Sequence, residues 1–573
     1  MRLALCLLLL ALAPLPSLAA DYQWSATVDE IVSTETGGHP RAFLWIPPDC
    51  RKVRALLIGQ HNMQEEPILE HPAMRQTLAG LCFGALWVTP AMGSNHFRFD
   101  LGAGAMLERL MQTLAARSGY GELATAPLVP IGHSAMASFG WDMAAWNPQR
   151  VLAVISTSGI WPYFKDPGTG NAAGPEWGER SVDGVPGLVI KGEYEVQGNM
   201  RDGWYAGAKG DSLTRHPRTV LTHVIEPGGG HFEVSDQRVE LMALFLRKAA
   251  QYRLARNGSL TPIDPRRGGW LFDGWQRDTV PAAPAAPVAS YRGPRDRAYW
   301  AFDAEMAKAV ASFQGRFRQQ DTLLIGYRQQ NGLTRPRPDH AMVHLKFEPL
   351  EDGISFRLRG GFWDQVPGDA RPDPATGVEG SGGWGKFFVP PRQAGQALAH
   401  PDTAEEARMR ISRICGPVIQ TAPDTFSIRF YRMGMNNIKR SNDMWFALSW
   451  PGDGRFKPMV QQAQLQIPLT NKEGQAQTLS FPAIADQPAR RAMAPVQLAA
   501  TSSAGVPVYY YVREGPAEVD DSGLLRFTPI PARASLPIEV TVVAWQWGRS
   551  IEPKLQSAAP LEQRFLITSP PSP

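Results

Sequence analysis

Cysteine is scarce in this chain: four in 573 residues, and Cys6 lies in an apolar leader. That excludes a small disulfide-stapled scaffold, which depends on closely spaced bridges. Cys50, Cys82 and Cys415 also lack the paired spacing of a zinc centre. Charge of one sign is missing as well. Lys plus Arg amounts to 58 against 54 for Asp plus Glu, a net of +4 with both signs interspersed. A nucleic-acid-binding surface needs a concentrated basic face, and none is visible. After the first twenty residues there is no apolar run long enough to cross a bilayer as a helix.

The leader itself has three parts. Met1-Arg2 is positive, Leu3 to Leu15 is apolar, and small residues close the segment at Ser17-Leu18-Ala19-Ala20. That is the layout of a secretory signal peptide, too short to serve as a spanning helix. Cys6 sits inside the apolar run rather than at its end, which argues against lipid attachment there. The expected product is exported, either secreted or periplasmic. In such an oxidising compartment Cys50 and Cys82 can staple the first domain or stay as thiols, and Cys415 is left as a buried free thiol.

What the sequence does have is glycine, proline and tryptophan, at 54, 50 and 17 residues. Many turns and many aromatics suit β-rich extracellular modules. Three or four domains fit the length. From Asp21 to Gly258, short apolar strands alternate with amphipathic helices. Strands are expected at Ala42-Ile46, Arg54-Ile58, Ala85-Thr89, Pro127-Ile131, Val151-Thr157, Gly187-Lys191 and Val220-Ile225, and helices at Ala103-Ala116 and Arg238-Tyr252. That alternation predicts a mostly parallel sheet covered on both faces. Residues 259–296 read as an extended, semi-rigid Pro/Ala-rich linker. Residues 297–470 follow as a β-rich middle domain of unassigned role, opening on a helix at Asp303-Phe313. Residues 483–570 alternate apolar and polar positions between regular turns, as a sandwich of short strands does.

The chemistry concentrates in Gly132-His133-Ser134-Ala135-Met136-Ala137, between a buried strand and a helical run through Trp146. A serine on such a strand-to-helix turn has its hydroxyl raised above the sheet, beside helix N–H groups that can receive an oxyanion. Met136 stands where the G-x-S-x-G pattern has glycine, so the helix is expected to sit slightly differently. A serine hydroxyl is a weak nucleophile until a base takes its proton. His231, on the loop Pro227-Gly228-Gly229-Gly230-His231, is the candidate base. The orienting acid is expected after Gly187-Lys191. Glu195 stands three residues beyond Gly192, with Glu193 as the alternative and Asp202 further off. The amide of Ala135, together with one near His61 or Asn62 in the loop after Ile58, is the candidate oxyanion pair. Trp161 and Tyr163 fall where a substrate loop is expected. Trp87, Trp141, Trp146, Trp177 and Trp204, and later Trp363, Trp384, Trp445 and Trp450, are either stacking platforms for sugar rings or core.

With GHS around Ser134, GEYE around Glu195 and GGGH before His231, the first 258 residues resemble the α/β-hydrolase superfamily. Within it they resemble secreted bacterial esterases of the polysaccharide-degrading type. The resemblance implies two-step acyl transfer on a small ester or a polysaccharide ester, with no metal and no organic cofactor. A lipase, polyester depolymerase or general carboxylesterase is the alternative enzyme. A surface adhesion or carbohydrate-binding protein with an inactive hydrolase domain is the non-enzymatic one. Separately, Gly505 to Tyr510 followed by Gly515-Pro516-Ala517-Glu518-Val519 resembles bacterial immunoglobulin-like modules.

Overall fold

In the computed structural model, residues 22–570 are described apart from 34, 93–94, 160–161, 163–173, 198–208, 210–211, 233, 331, 336–341, 369–384, 386–387, 389, 436, 439 and 491. The apolar leader, Trp161, Tyr163, Asp202, Trp204 and Trp384 lie outside the described residues.

Apolar runs with few exposed positions make the strands of the first part. They are β1 (Trp24–Thr27), β2 (Arg41–Trp45), β3 (Ala55–Gln60), β4 (Phe83–Thr89), β5 (Leu128–His133), β6 (Val154–Thr157), β7 (Pro186–Gly192) and β8 (Val220–Glu226). They form one eight-stranded sheet in the order β1-β2-β4-β3-β5-β6-β7-β8. β1, β2 and β4 pair antiparallel, and from β4 to β8 every neighbour is parallel. Strands buried on both faces read as continuous apolar runs, which is why β2 to β8 are legible in the sequence.

The helices split between the two faces. Those after β3 are α1 (Glu65–Glu70) and α2 (Pro72–Leu81); α3 (Ala103–Ser118) follows β4, and α4 (Ala137–Trp146) follows β5. The short α5 (Glu193–Gln197) follows β7, and α6 (Asp236–Arg253) follows β8. Ile68, Leu78, Val239 and Phe245 pack one face, while Leu107, Leu114, Phe139 and Trp141 pack the other. Ser235 caps α6 by accepting the Arg238 N–H at 3.1 Å. Cys50 and Cys82 form a disulfide, and Cys415 is a buried free thiol.

The expected linker differs most. Trp270–Asp273 pairs with Ala286–Pro287 and with Ala298–Ala301 in a three-stranded antiparallel sheet. Phe272, Trp300 and Phe302 join the core of the first part, and Thr222 on β8 donates to the Trp300 carbonyl at 2.7 Å. The segment is therefore folded onto the sheet rather than extended. Its proline and alanine content hid the aromatic anchor Phe272. The helix expected next runs Ala304–Gln314, designated α7, capped by Asp303.

Beyond it the chain makes several small, largely antiparallel sheets. One packed core joins Phe356, Phe426, Phe446 and Trp450 of the middle region to Trp545 and Trp547 near the end. The last segment also touches the first part: Ser25 and Arg41 bond Glu514, and the Arg533 N–H donates to the Tyr120 hydroxyl. Among the described residues, no helix is long and apolar enough to cross a membrane.

Candidate active site

The C-terminal edge of a parallel sheet is where loops converge and ligands bind in folds of this class. Here five loops meet, after β3, β5, β6, β7 and β8. Ser134 follows β5 with φ of 52°, a left-handed conformation that a non-glycine residue adopts at a cost of about 1–3 kcal/mol. A short 3₁₀ turn, Ser134–Met136, then leads into α4. Gly132 is obligatory beneath it, since a Cβ there would meet the Met136 carbonyl oxygen at 2.0 Å. Met136 needs no glycine conformation at φ of −86°, and its side chain is buried beside the Gln60 amide. The missing glycine of the elbow pattern is replaced by close packing from outside it. A Cβ on Gly159 would lie 2.2 Å from that of Ala137.

His231 brings Nε2 to 2.8 Å from Ser134 Oγ and Nδ1 to 2.7 Å from Glu195 Oε2. With Nδ1–H donating to the carboxylate, Nε2 is left to accept the serine proton. Glu195 Oε1 accepts the Gly192 N–H at 2.6 Å, and Ser158 Oγ lies 2.8 Å away. Burial opposes a charge on Glu195, yet the attraction of His231, their hydrogen bond, Lys191 and the Gly192 amide hold it down to about 2. Burial in turn pulls Lys191 down to about 7 against the pull of Glu195. The two loops approach backbone to backbone through Gly192, where a Cβ would lie 2.4 Å from the carbonyl oxygens of Gly229 and Gly230.

Three side chains converge on the carbonyl oxygen of His231: Gln64 Nε2 at 3.0 Å, His133 Nε2 at 2.8 Å and Ser158 Oγ at 2.9 Å. His133 is fully buried, and that burial, followed by the proximity of His231, keeps its imidazole well below the usual histidine range. It is thus neutral and donates from Nε2. Ser158, at φ of 48°, and Gln64 had no sequence signal, because their roles depend on residues far along the chain.

The alternative acid, Glu193, is engaged elsewhere. It is fully buried against Arg277 Nε at 2.5 Å and Lys457 Nζ at 3.2 Å, and it accepts the Gly228 N–H at 2.9 Å. His61 must also be corrected as an oxyanion donor. Its N–H donates to the Val88 carbonyl at 2.7 Å, and its ring is buried against Thr89. Asn62 is half-buried and Ala135 is exposed, so both stay at the surface of the site. The Asn62 side chain donates to the His133 carbonyl at 2.7 Å, tying its loop to the elbow. Trp87, Trp141 and Trp450 are core residues, so none can stack on a sugar, and Trp177 donates to the buried Asp142. Among the described residues, no group of His, Cys, Asp or Glu is arranged to hold a metal ion.

No family model and no curated protein matches the chain. Solved structures align with its first part. A dienelactone hydrolase from Anabaena variabilis shares 17% identity over 40% of this chain and 97% of that one, at a TM-score of 0.27. A poly(3-hydroxybutyrate) depolymerase from Bordetella parapertussis shares 13% over 42% and 92%, at 0.29. A truncated carbohydrate esterase from gut microbiota shares 13% over 41% and 99%, also at 0.29. The sheet described above is mostly parallel, with helices on both faces. The chemistry is argued from this chain's own residues.

Proposed function

We propose that this protein is a serine hydrolase of carboxylic esters, with Ser134 as nucleophile, His231 as general base and Glu195 as the orienting acid. The observation that carries this reading is the unbroken chain Ser134 Oγ, His231 Nε2, His231 Nδ1, Glu195 Oε2, with contacts of 2.8 and 2.7 Å. Ser134 Oγ attacks the ester carbonyl carbon while its proton passes to His231 Nε2. The amides of Ala135 and Asn62 receive the negative oxygen. Collapse expels the alcohol, protonated by His231, and leaves an acyl-serine. Water, activated by the same histidine, then releases the acid and restores Ser134.

For the substrate we favour an acyl or methyl ester carried on a polysaccharide, acted on outside the cytoplasm. The export-type leader and the lack of a long apolar insertion that could serve as a lipase lid support this choice. We also read the last segment as immunoglobulin-like. Supporting that, Phe527 of one small sheet packs edge-on against Phe565 of another, with ring centroids 6.1 Å apart.

The test is hydrolysis of p-nitrophenyl acetate and butyrate beside acetylated and methyl-esterified polysaccharides, with Ser134→Ala in parallel. Loss of roughly 10⁵-fold or more in the variant is expected. Equal rates in the two proteins would reject the reading.

A further inference from the structure

Three consecutive residues at the start of α1 face three different parts of the molecule. Gln64 donates to the His231 carbonyl at 3.0 Å. Glu65 accepts the His133 N–H at 2.6 Å on one oxygen and the Met63 N–H at 2.9 Å on the other. Glu66 turns away from the site to the middle region. Its Oε2 accepts from the Tyr431 hydroxyl at 3.0 Å and from Arg413 at 3.2 Å, and Oε1 lies 3.2 Å from Arg432 Nη1. The same Arg432 nitrogen reaches Glu70 Oε1 at 2.6 Å, so one guanidinium bridges both ends of α1. Glu66 and Arg432 are each 2% exposed. Carboxylates so buried persist only with close partners.

The other two loops are held in the same way. Lys457 reaches Glu193, and the Tyr194 hydroxyl donates to the Pro458 carbonyl at 3.0 Å, beside the acid Glu195. Phe232, next to His231, packs on Trp445 with ring centroids 5.0 Å apart.

We propose that the middle β-rich region is a working part of the catalytic apparatus, with Arg432 as a positioning residue that holds α1 through Glu66 and Glu70. This rests on the serine-hydrolase reading above. Arg432 touches no reacting atom. By fixing α1 it fixes Gln64 and Glu65, and through them the histidine loop and the nucleophile elbow. Lysine can supply the charge but not the planar guanidinium that lies over the Tyr22 ring, 4.6 Å from its centroid.

The full-length chain is compared with Arg432→Met, Arg432→Lys and, as a control, Lys554→Ala at an exposed pair near the end of the chain. Hydrogen exchange in residues 61–66 and 228–232 is measured together with kcat, KM and Tm. In Arg432→Met we expect kcat to fall by about 10- to 100-fold with KM nearly unchanged. Exchange should accelerate in both segments well below the Tm. Arg432→Lys should recover part of both effects, and Lys554→Ala should change neither. Unchanged kcat and exchange in Arg432→Met would overturn the proposal, as would a uniform loss of protection with full activity in the folded fraction. If Arg432→Met does not fold, Tyr431→Phe removes one donor to Glu66 and is read by the same criteria with a smaller effect. A parent without esterase activity would sink the functional reading alone, since the exchange comparison still decides this one.

Discussion

The first region and the β-rich region bring polar residues to the site in opposite ways. In the first region each candidate side chain stands within a few residues of a strand end, and the sheet delivers it. Ser134 directly follows β5, and Glu195 lies three residues after β7. In the β-rich region Arg413, Tyr431, Arg432 and Lys457 belong to no motif, yet each meets a buried glutamate of the first region. Chemistry follows local spacing, whereas the support that holds it is assembled across hundreds of residues.

The sharpest way to break that comparison is to exchange the two neighbouring glutamates of the β7 loop. Glu195→Gln should lower kcat by roughly 10³- to 10⁴-fold, because histidine loses the acceptor that sets its tautomer. Glu193→Gln should instead lower stability by about 3–5 kcal/mol, because Arg277 and Lys457 are left facing a neutral amide in a buried position. Steady-state kinetics and urea unfolding on both variants separate the roles, and a reversed pattern would exchange the assignments.

Acid stability is the next effect in size. The Glu195 carboxyl is held at about 2 in the fold, below an ordinary value of 4.5. The stability it contributes is present above pH 4.5 and is lost as the pH falls through about 2. The amount is on the order of 3 kcal/mol. Unfolding free energy followed from pH 6 downward should therefore decline less steeply in Glu195→Gln than in the parent.

Ser158→Ala comes next. It removes a hydroxyl from Glu195 and from the His231 carbonyl together, and should reduce kcat about 10-fold with little change in KM. The smallest expected effect is none. Cys415 is buried and its thiol is pushed up to about 12, so iodoacetamide should leave it unmodified in the native protein. Rapid native labelling of Cys415 would show that the contact of Met63 with the middle region opens in solution.

The parallel strands and the contacts of Ser134, His231 and Glu195 were legible because buried strands, tight elbows and glycine loops impose short-range patterns. β1 was missed: its four residues carry no period, and its pairing partner β2 lies beyond a turn. Residues 259–296 looked like a spacer because their composition outweighed Trp270 and Phe272, whose strand pairs with residues 298–301 and packs on the core of the first part. Glu65 and Glu66 belong to no motif. Their burial depends on His133, Arg413 and Arg432, and the Glu66 partners lie 347 to 366 residues away. No window of sequence contains such a pair. The tryptophans left both readings open, since richness in aromatics does not distinguish a core from a stacking face.

The most direct measurement is covalent labelling of the full-length protein with a fluorophosphonate, followed by mass spectrometry of the modified peptide. A single adduct on Ser134, absent after denaturation and strongly slowed in His231→Ala, is the expected result. An adduct on another serine, or ester hydrolysis that continues while Ser134 stays unlabelled, would contradict it.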